Sequence, residues 1–276
     1  MLLQDIKYAV RGLWHSKGFA IVAILCLGFG IGVNTTIFSV MDGVLLKPYP
    51  YPDPDRLRVL SEQNPKTGEG GGVSYLNMRD WKAANSSFTT IAATTGRSLV
   101  VSDSAREPER YLGAGVSWDL FPMLGAVPVM GRLFSESEDR PGGGGVVLLS
   151  NEIWRLRYQA APDILGKRVL VNSKPHVVVG VMAPGFAFPN QNRLWVPLTP
   201  MVEKDPRQAR GLFTFGRLKP GVTPERAKAD LEAVAKQLAA QYPVNENWTA
   251  NLQTLRERFL PSEDRKSTRL KSSHVS

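Results

Sequence analysis

Residues 18–41 read GFAIVAILCLGFGIGVNTTIFSVM, 24 positions without a charge. A helix of that length covers roughly 36 Å, enough to cross a hydrocarbon core of about 30 Å. The remaining ~230 residues are mixed in character and long enough for one large domain or two small ones. The sequence thus predicts a membrane anchor over 18–46 and a folded domain beyond it.

The flanks set the orientation. Lys7, Arg11 and Lys17 precede the span against a single acid, Asp5, whereas Asp42 and Lys47 follow it. The basic excess keeps the N-terminus in the cytoplasm and sends the domain across the membrane. A cleaved secretory signal fits less well, because the apolar run is too long and no small-x-small cleavage site follows it. Within residues 1–17, Leu2, Leu3, Ile6, Val10, Leu13 and Trp14 share one helical face. This spacing predicts an amphipathic helix at the cytoplasmic membrane surface. It is either a plain interfacial helix or a coupling element that touches a partner through Ile6, Val10, Leu13 and Trp14. In the span, Gly28, Gly30 and Gly32 alternate and Asn34 follows. Small residues permit close helix packing and a buried amide needs a partner, although glycine is also common in membrane helices generally.

The formal charge of +9 does not indicate nucleic acid. Arg265, Lys266, Arg269 and Lys271 lie in the last 12 residues, and removing these four leaves +5 spread over the rest. No basic run with interleaved aromatics occurs, so nucleic-acid binding is rejected. The one cysteine, Cys26, lies in the span, so the exported domain has no disulfide. Two glycosylation triplets, at Asn85 and Asn247, are matches of the kind chance produces.

Along the domain, Tyr49 to Pro54 reads as a stiff linker. Strands are expected at 57–60, 89–93, 99–102, 110–116, 146–149, 194–198, 213–218 and 248–255. A hairpin is expected from 167 to 181, turning at Asn172-Ser173-Lys174-Pro175. Ser74 should start a helix with Leu76, Met78, Trp81 and Ala84 inward, and Ser150 should cap another. Residues 118–125 read as a short helix stopped by Gly125. The clearest helix runs from Thr223 to Tyr242, with Ala227, Leu231, Val234, Leu238 and Tyr242 as its buried stripe. Strands and helices mix without strict alternation, which predicts an α+β domain.

The chain carries no recognisable catalytic chemistry. Gly142–Gly145 lacks the Gly-Lys-Ser/Thr that would make it a phosphate loop, and it reads as a flexible loop, as does 68–72. His15, His176 and His274 have no metal-ligand spacing, and no Gly-x-Ser-x-Gly elbow exists. Glu136, Glu138 and Asp139 read as a solvated acidic face. Catalytic, cofactor-binding and metal residues are therefore none, and the chain is not expected to be an enzyme.

A set of phrases in order carries a resemblance. They are Asp5–Arg11, Gly30–Phe38, Phe121–Gly125, Gly131–Phe134, Leu149–Trp154, Leu165–Lys167, Val178–Met182 and Leu218–Thr223. Together they resemble MacB-type permeases of ABC transporters, in particular the duplicated permeases of acidobacteria. The resemblance implies an amphipathic helix and one transmembrane helix, then a mixed α+β periplasmic core domain over 47–264 with a porter-like and an inserted subdomain. The helices 74–85 and 223–242 would belong to the porter-like part, and residues 131–198 mostly to the insert. It also implies an ABC ATPase subunit in trans, further permease helices or a second permease copy, and a periplasmic adaptor as an additional candidate partner. The location would be the inner membrane, and the work would be export or other envelope tasks.

Members of that family continue into further membrane helices, and nothing after Met41 approaches 18 apolar residues. Residues 265–276 are basic and aperiodic, resemble a read-through scar, and are expected to stand outside the fold. The alternatives are a single-span protein with a periplasmic binding or sensing module, and a secreted enzyme released by signal cleavage.

Overall fold

A computed structural model describes residues 18, 21–22, 26–32, 51–103, 106–189 and 191–259. The chain divides into two units, Met1–Tyr49 and Pro50–Ser276. In the first, residues 18, 21–22 and 26–32 are helical and exposed. Among the described residues no helix is long and apolar enough to cross a membrane. The rest of the uncharged stretch, the expected helix over 1–17 and the tail 265–276 lie outside the described residues.

The second unit is built on one sheet of eleven strands. They are β1 (Leu57–Gln63), β2 (Gly70–Gly71), β3 (Phe88–Asp103), β4 (Arg106–Val116), β5 (Pro128–Gly131), β6 (Val146–Leu149), β7 (Arg168–Val171), β8 (Lys174–Met182), β9 (Leu194–Pro197), β10 (Phe213–Leu218) and β11 (Thr249–Thr254). The main path runs β11-β1-β10-β3-β4-β9-β6-β8-β5, with β2 on β1 and β7 bridging β3 and β8. Most pairs are antiparallel, but β4–β9 and β6–β8 are parallel. Six α-helical segments accompany it: α1 (Tyr75–Ala84), α2 (Leu120–Met123), α3 (Asn151–Tyr158), α4 (Thr199–Val202), α5 (Pro224–Gln241) and α6 (Leu255–Phe259). The expected α+β class is observed.

The longer helices start where side chains can satisfy their first N–H groups. Ser74 Oγ accepts from Asn77 N at 3.1 Å, Ser150 Oγ from Ile153 N at 3.2 Å and Thr223 Oγ1 from Arg226 N at 3.3 Å. Apolar spacing then selects the buried face. On α5, Ala227, Leu231, Val234, Ala235 and Leu238 are buried, whereas Tyr242 is half-buried beyond the helix end. On α1 the inward face is Tyr75, Asn77, Met78 and Trp81; Ala84, expected inside, is exposed in the last turn.

Two cores form on this sheet. The first joins Leu60, Trp81, Phe88, Ile91, Leu218 and Leu231, drawn from segments near both ends of the unit. The second joins Leu99, Val101, Val147, Ile153, Val178 and Leu194, drawn from residues 99–196. Strand β3 belongs to both. Two short strands were expected there, but the polar residues 94–98 continue the ladder onto Val116, Gly115, Ala114, Gly113 and Leu112 of β4. Thr94 stays inside by donating its hydroxyl to Gly115 O at 2.8 Å. Gly113 permits the close approach of β9: a Cβ there would stand 2.5 Å from Leu99 Cδ1 and 2.9 Å from Leu194 O.

Other differences are local. The hairpin turns on two residues, Asn172 (φ 48) and Ser173 (φ 63), and Lys174-Pro175 already belong to β8. Both central residues at positive φ make a tight turn whose twist suits the flanking strands. Gly70-Gly71, read as loop, pairs with Gln63 and Glu62. Asp139, read as solvated, is half-buried and accepts N–H bonds from Thr199 at 2.7 Å and Trp118 at 3.0 Å. Burial pushes its carboxyl up in spite of those bonds.

Two outcomes follow. Trp81 is 1% exposed at the centre of the first core, so Trp81→Ala should cost about 3–5 kcal/mol in urea unfolding. Asp230 on α5 accepts from Ser86 N at 2.9 Å and Ser87 N at 3.1 Å. Burial opposes ionisation there, but the serine donors hold the carboxyl below its usual value. Its stabilisation is therefore present above the unfolded pKa and disappears as pH falls through the folded one. Asp230→Asn should cost on the order of 1 kcal/mol at neutral pH, and the gap to the wild type should close below about pH 4.

Candidate functional site

With a membrane anchor expected over 18–46, the entry of the polypeptide into the folded domain comes first. The linker residues dock at once. Tyr51 packs edge-on against Phe188 with ring centroids 5.8 Å apart, and Phe188 in turn lies 5.4 Å from Phe215 of β10. Phe121 of α2, Phe186 and Trp195 extend this cluster with centroid distances of 5.1–5.7 Å. Offset and edge-to-face rings of this kind pack densely and resist sliding.

Next to it, Pro52 sits against Gly125. That residue has φ +68, and a Cβ there would stand 2.7 Å from Pro52 Cγ. The expected helix stop is thus also the seat for the incoming chain. Two arginines complete the junction. Arg56 donates from Nε and Nη2 to Leu218 O at 3.0 and 2.7 Å, and from Nη1 to Asp53 Oδ2 at 3.3 Å. Arg217 donates to Met123 O at 2.6 Å and to Asp53 O at 3.4 Å. Burial, with Arg56 alongside, makes the Arg217 guanidinium harder to protonate than usual.

The way out lies at the same end. Leu57 pairs with Arg217, Arg58 with Thr254, and Leu218 with Phe88, so the start of β1 and the end of β11 are neighbours. Helix α6 follows directly. Thr254 N donates to Glu257 Oε2 at 2.7 Å and Glu257 N to Thr254 Oγ1 at 3.0 Å, a reciprocal cap, and Leu255 is buried.

A second polar cluster closes the opposite end of the first core. Glu62 of β1 and Asn77 of α1 are hydrogen-bonded, and Asn77 and Asn245 bond to each other. Arg210 Nε approaches Glu62 Oε2 at 2.8 Å, a close ion pair without the alignment of a hydrogen bond. Burial pushes the Glu62 carboxyl up against the pull of Asn77 and Arg210. Arg210 stacks on Trp248 at 4.0 Å and Arg207 on Tyr242 at 3.8 Å, while Arg207 also pairs with Asp80 at 2.6 Å. These contacts pin segment 203–211 onto α1 and the turn after α5.

In the second core, Arg157 is buried and paired with Asp103 at 3.1 Å and Glu109 at 3.3 Å. Burial alone would lower it, but Tyr158, Asp103 and Tyr111 hold its guanidinium above the usual value. Tyr111 and Tyr158 are both pushed up to about 12, chiefly by burial. His176 is half-buried, donates from Nδ1 to Lys174 O at 2.9 Å, and is lowered by burial. Two clefts, one of about 190 Å³ beside Ser150 and Arg193 and one of about 170 Å³ beside Arg157, are smaller than usual ligand pockets.

Of the residues singled out from the sequence, Ile6, Val10, Leu13, Trp14 and Asn34 lie outside the described residues. Gly28, Gly30 and Gly32 are helical, with open space where a Cβ would stand. Around them Ile21, Val22, Leu27, Phe29 and Ile31 are 58–77% exposed, so this helix offers apolar side chains that its own chain leaves bare. Sequence reading missed Arg56, Arg157, Arg207, Arg210 and Arg217. The local signals available were the linker prolines beside Arg56 and the tryptophan and tyrosine near 242–248.

The family model described as the MacB-like periplasmic core domain matches residues 20–234. Among solved structures, a domain of a protein described as a permease from Porphyromonas gingivalis aligns with TM-score 0.57 and 16% identity, covering 79% of this chain and 98% of that one. The periplasmic region of MacB from Actinobacillus actinomycetemcomitans aligns with TM-score 0.55 and 13% identity, covering 85% and 99%. The extracellular domain of the noncanonic ABC-type transporter YknZ from Gram-positive bacteria aligns with TM-score 0.53 and 14% identity, covering 71% and 99%. At such identities the likeness is one of fold. No curated protein matches.

The junction yields a direct expectation. Gly125→Ala forces an L side chain to positive φ and against Pro52, which should cost roughly 1–3 kcal/mol in thermal unfolding. Amide exchange at 51–56 should quicken more than exchange in the second core.

Proposed function

The chain belongs to the family of MacB-like periplasmic core domains, and from that premise we propose that it is the N-terminal part of an ABC-transporter permease. In this reading residues 18–46 cross the inner membrane, and the N-terminal helix lies on the cytoplasmic face against an ATPase subunit supplied in trans. The domain beyond Tyr49 stands outside the membrane and moves when that subunit binds and hydrolyses ATP. Further permease helices or a second copy would cover the apolar residues around Gly28, Gly30 and Gly32, and a periplasmic adaptor is a further candidate partner.

The observation that carries the reading is the adjacency of the domain's entry and exit. Arg58 pairs with Thr254, so both chain connections leave one end of one sheet. A domain inserted between two membrane segments needs that geometry. Motion of either segment would then act on β1 and β11 together. The first core, drawn from segments near both ends of the unit, would be the porter-like part. The second, drawn from the residues between them, would be the insert. A hydrogen-bonded strand shared by both would carry displacement from one to the other without a hinge. The work performed would be export or another envelope task.

The N-terminal helix supplies the test. Replacing Ile6 and Leu13 by Asp removes its apolar face and should abolish co-purification of the full chain with its ATPase subunit, while the sheet domain keeps its unfolding midpoint. Undiminished co-purification would sink the coupling role.

A further inference from the structure

The chain's entry point also brings two arginines onto one residue, Asp53. Arg56 donates to Leu218 O and Arg217 to Met123 O and Asp53 O, so backbone carbonyls hold both guanidiniums. A guanidinium has five N–H donors. Arg56 commits three and Arg217 two, which leaves each with donors to spare. The carboxylate shared at this point is Asp53, at 3.3 Å from Arg56 and 66% exposed. Arg58, on the other face of the sheet from Arg217, bonds to the carbonyls of Asp55 and Leu57, and Lys219 is exposed.

Resting on the membrane-anchored reading above, we propose that Arg56 and Arg217 bind the anionic phosphate headgroup of a membrane lipid where the chain enters the domain. The chemistry fits. Two guanidiniums held by carbonyls cannot swing away, and their unused N–H groups are the fork that phosphate oxygens accept. In the sequence Arg56 follows the expected span over 18–46 by ten residues, and an anionic surface acts on basic side chains close to it. Tyr51 beside it has the amphipathic ring that sits at headgroup depth. Lipid binding here would fix the domain's height and tilt on the bilayer. Asp53 is the internal competitor that the headgroup displaces from Arg56.

The test uses the full chain in nanodiscs of phosphatidylcholine alone or with added phosphatidylglycerol, read by amide exchange at 51–57. Exchange should slow about fivefold with phosphatidylglycerol, the factor that one basic residue near an anionic surface supplies. Arg56→Gln with Arg217→Gln should remove the effect. Because that double variant also loosens the junction, Asp53→Asn is the second variant, and it should strengthen the effect. Equal exchange in the two discs, or no gain from Asp53→Asn, overturns the proposal. Slowing by inorganic phosphate in phosphatidylcholine discs also overturns it, in favour of a soluble anion. A chain that stays out of the bilayer overturns both this inference and the permease reading. A chain that inserts without lipid-dependent slowing overturns this inference alone.

Discussion

Strand β3 is the constraint on which the rest of the domain depends. Its first half pairs with β10 and its second half with β7, while β4 runs along it from Thr94 to Asp103. Backbone hydrogen bonds along 16 residues join two cores that share few side chains. Through Gly96, Arg97 and Ser98, which are exposed, the ladder onto β4 stays continuous, and cutting it would forfeit those backbone hydrogen bonds. The two cores therefore move as one piece, or the strand itself must twist. Met201, which packs against both, fills the remaining gap between them.

Small residues make that arrangement possible. Residues 91–95 of β3 are buried on both faces, and they are Ile, Ala, Ala, Thr and Thr. Large side chains on both sides of the strand would hold the aromatic cluster and the α1–α5 layer too far apart. The same logic operates at the entry point, where Gly125 leaves room for Pro52. Dense packing then converts a chain crossing into a fixed attachment.

Charged side chains secure the edges of this structure. Arg56 and Arg217 fasten the entry, Arg207 and Arg210 fasten the opposite end, and Arg157 fastens the second core. Each planar guanidinium meets carbonyls, carboxylates or ring faces that come from separate segments. A pair broken at Arg157 or Arg210 leaves a buried charge without a partner, so those two ties are costly to open.

Much of the local structure was legible in the sequence. Ser74, Ser150 and Thr223 announced their helices because a cap is a contact between residues three apart. The stripe Ala227–Leu238 announced its buried face because periodicity reports which side of a helix faces inward. Uncharged residues 18–41 and the ordered phrases carried the family. The break in β3 was misread because residues 94–98 look like a turn until β4 is laid beside them. The arginine ties were invisible for a related reason. Arg56 meets Leu218 O across 162 positions and Asn77 meets Asn245 across 168, and no local pattern specifies a partner at that distance. The sequence by itself determined the class of the domain, the helices that start at Ser74, Ser150 and Thr223, and its apolar N-terminal stretch, since these depend on neighbours in the chain. Tertiary structure alone decided where the chain enters and leaves the sheet and which charges are buried there, since sheet pairing brings together segments that the chain keeps apart.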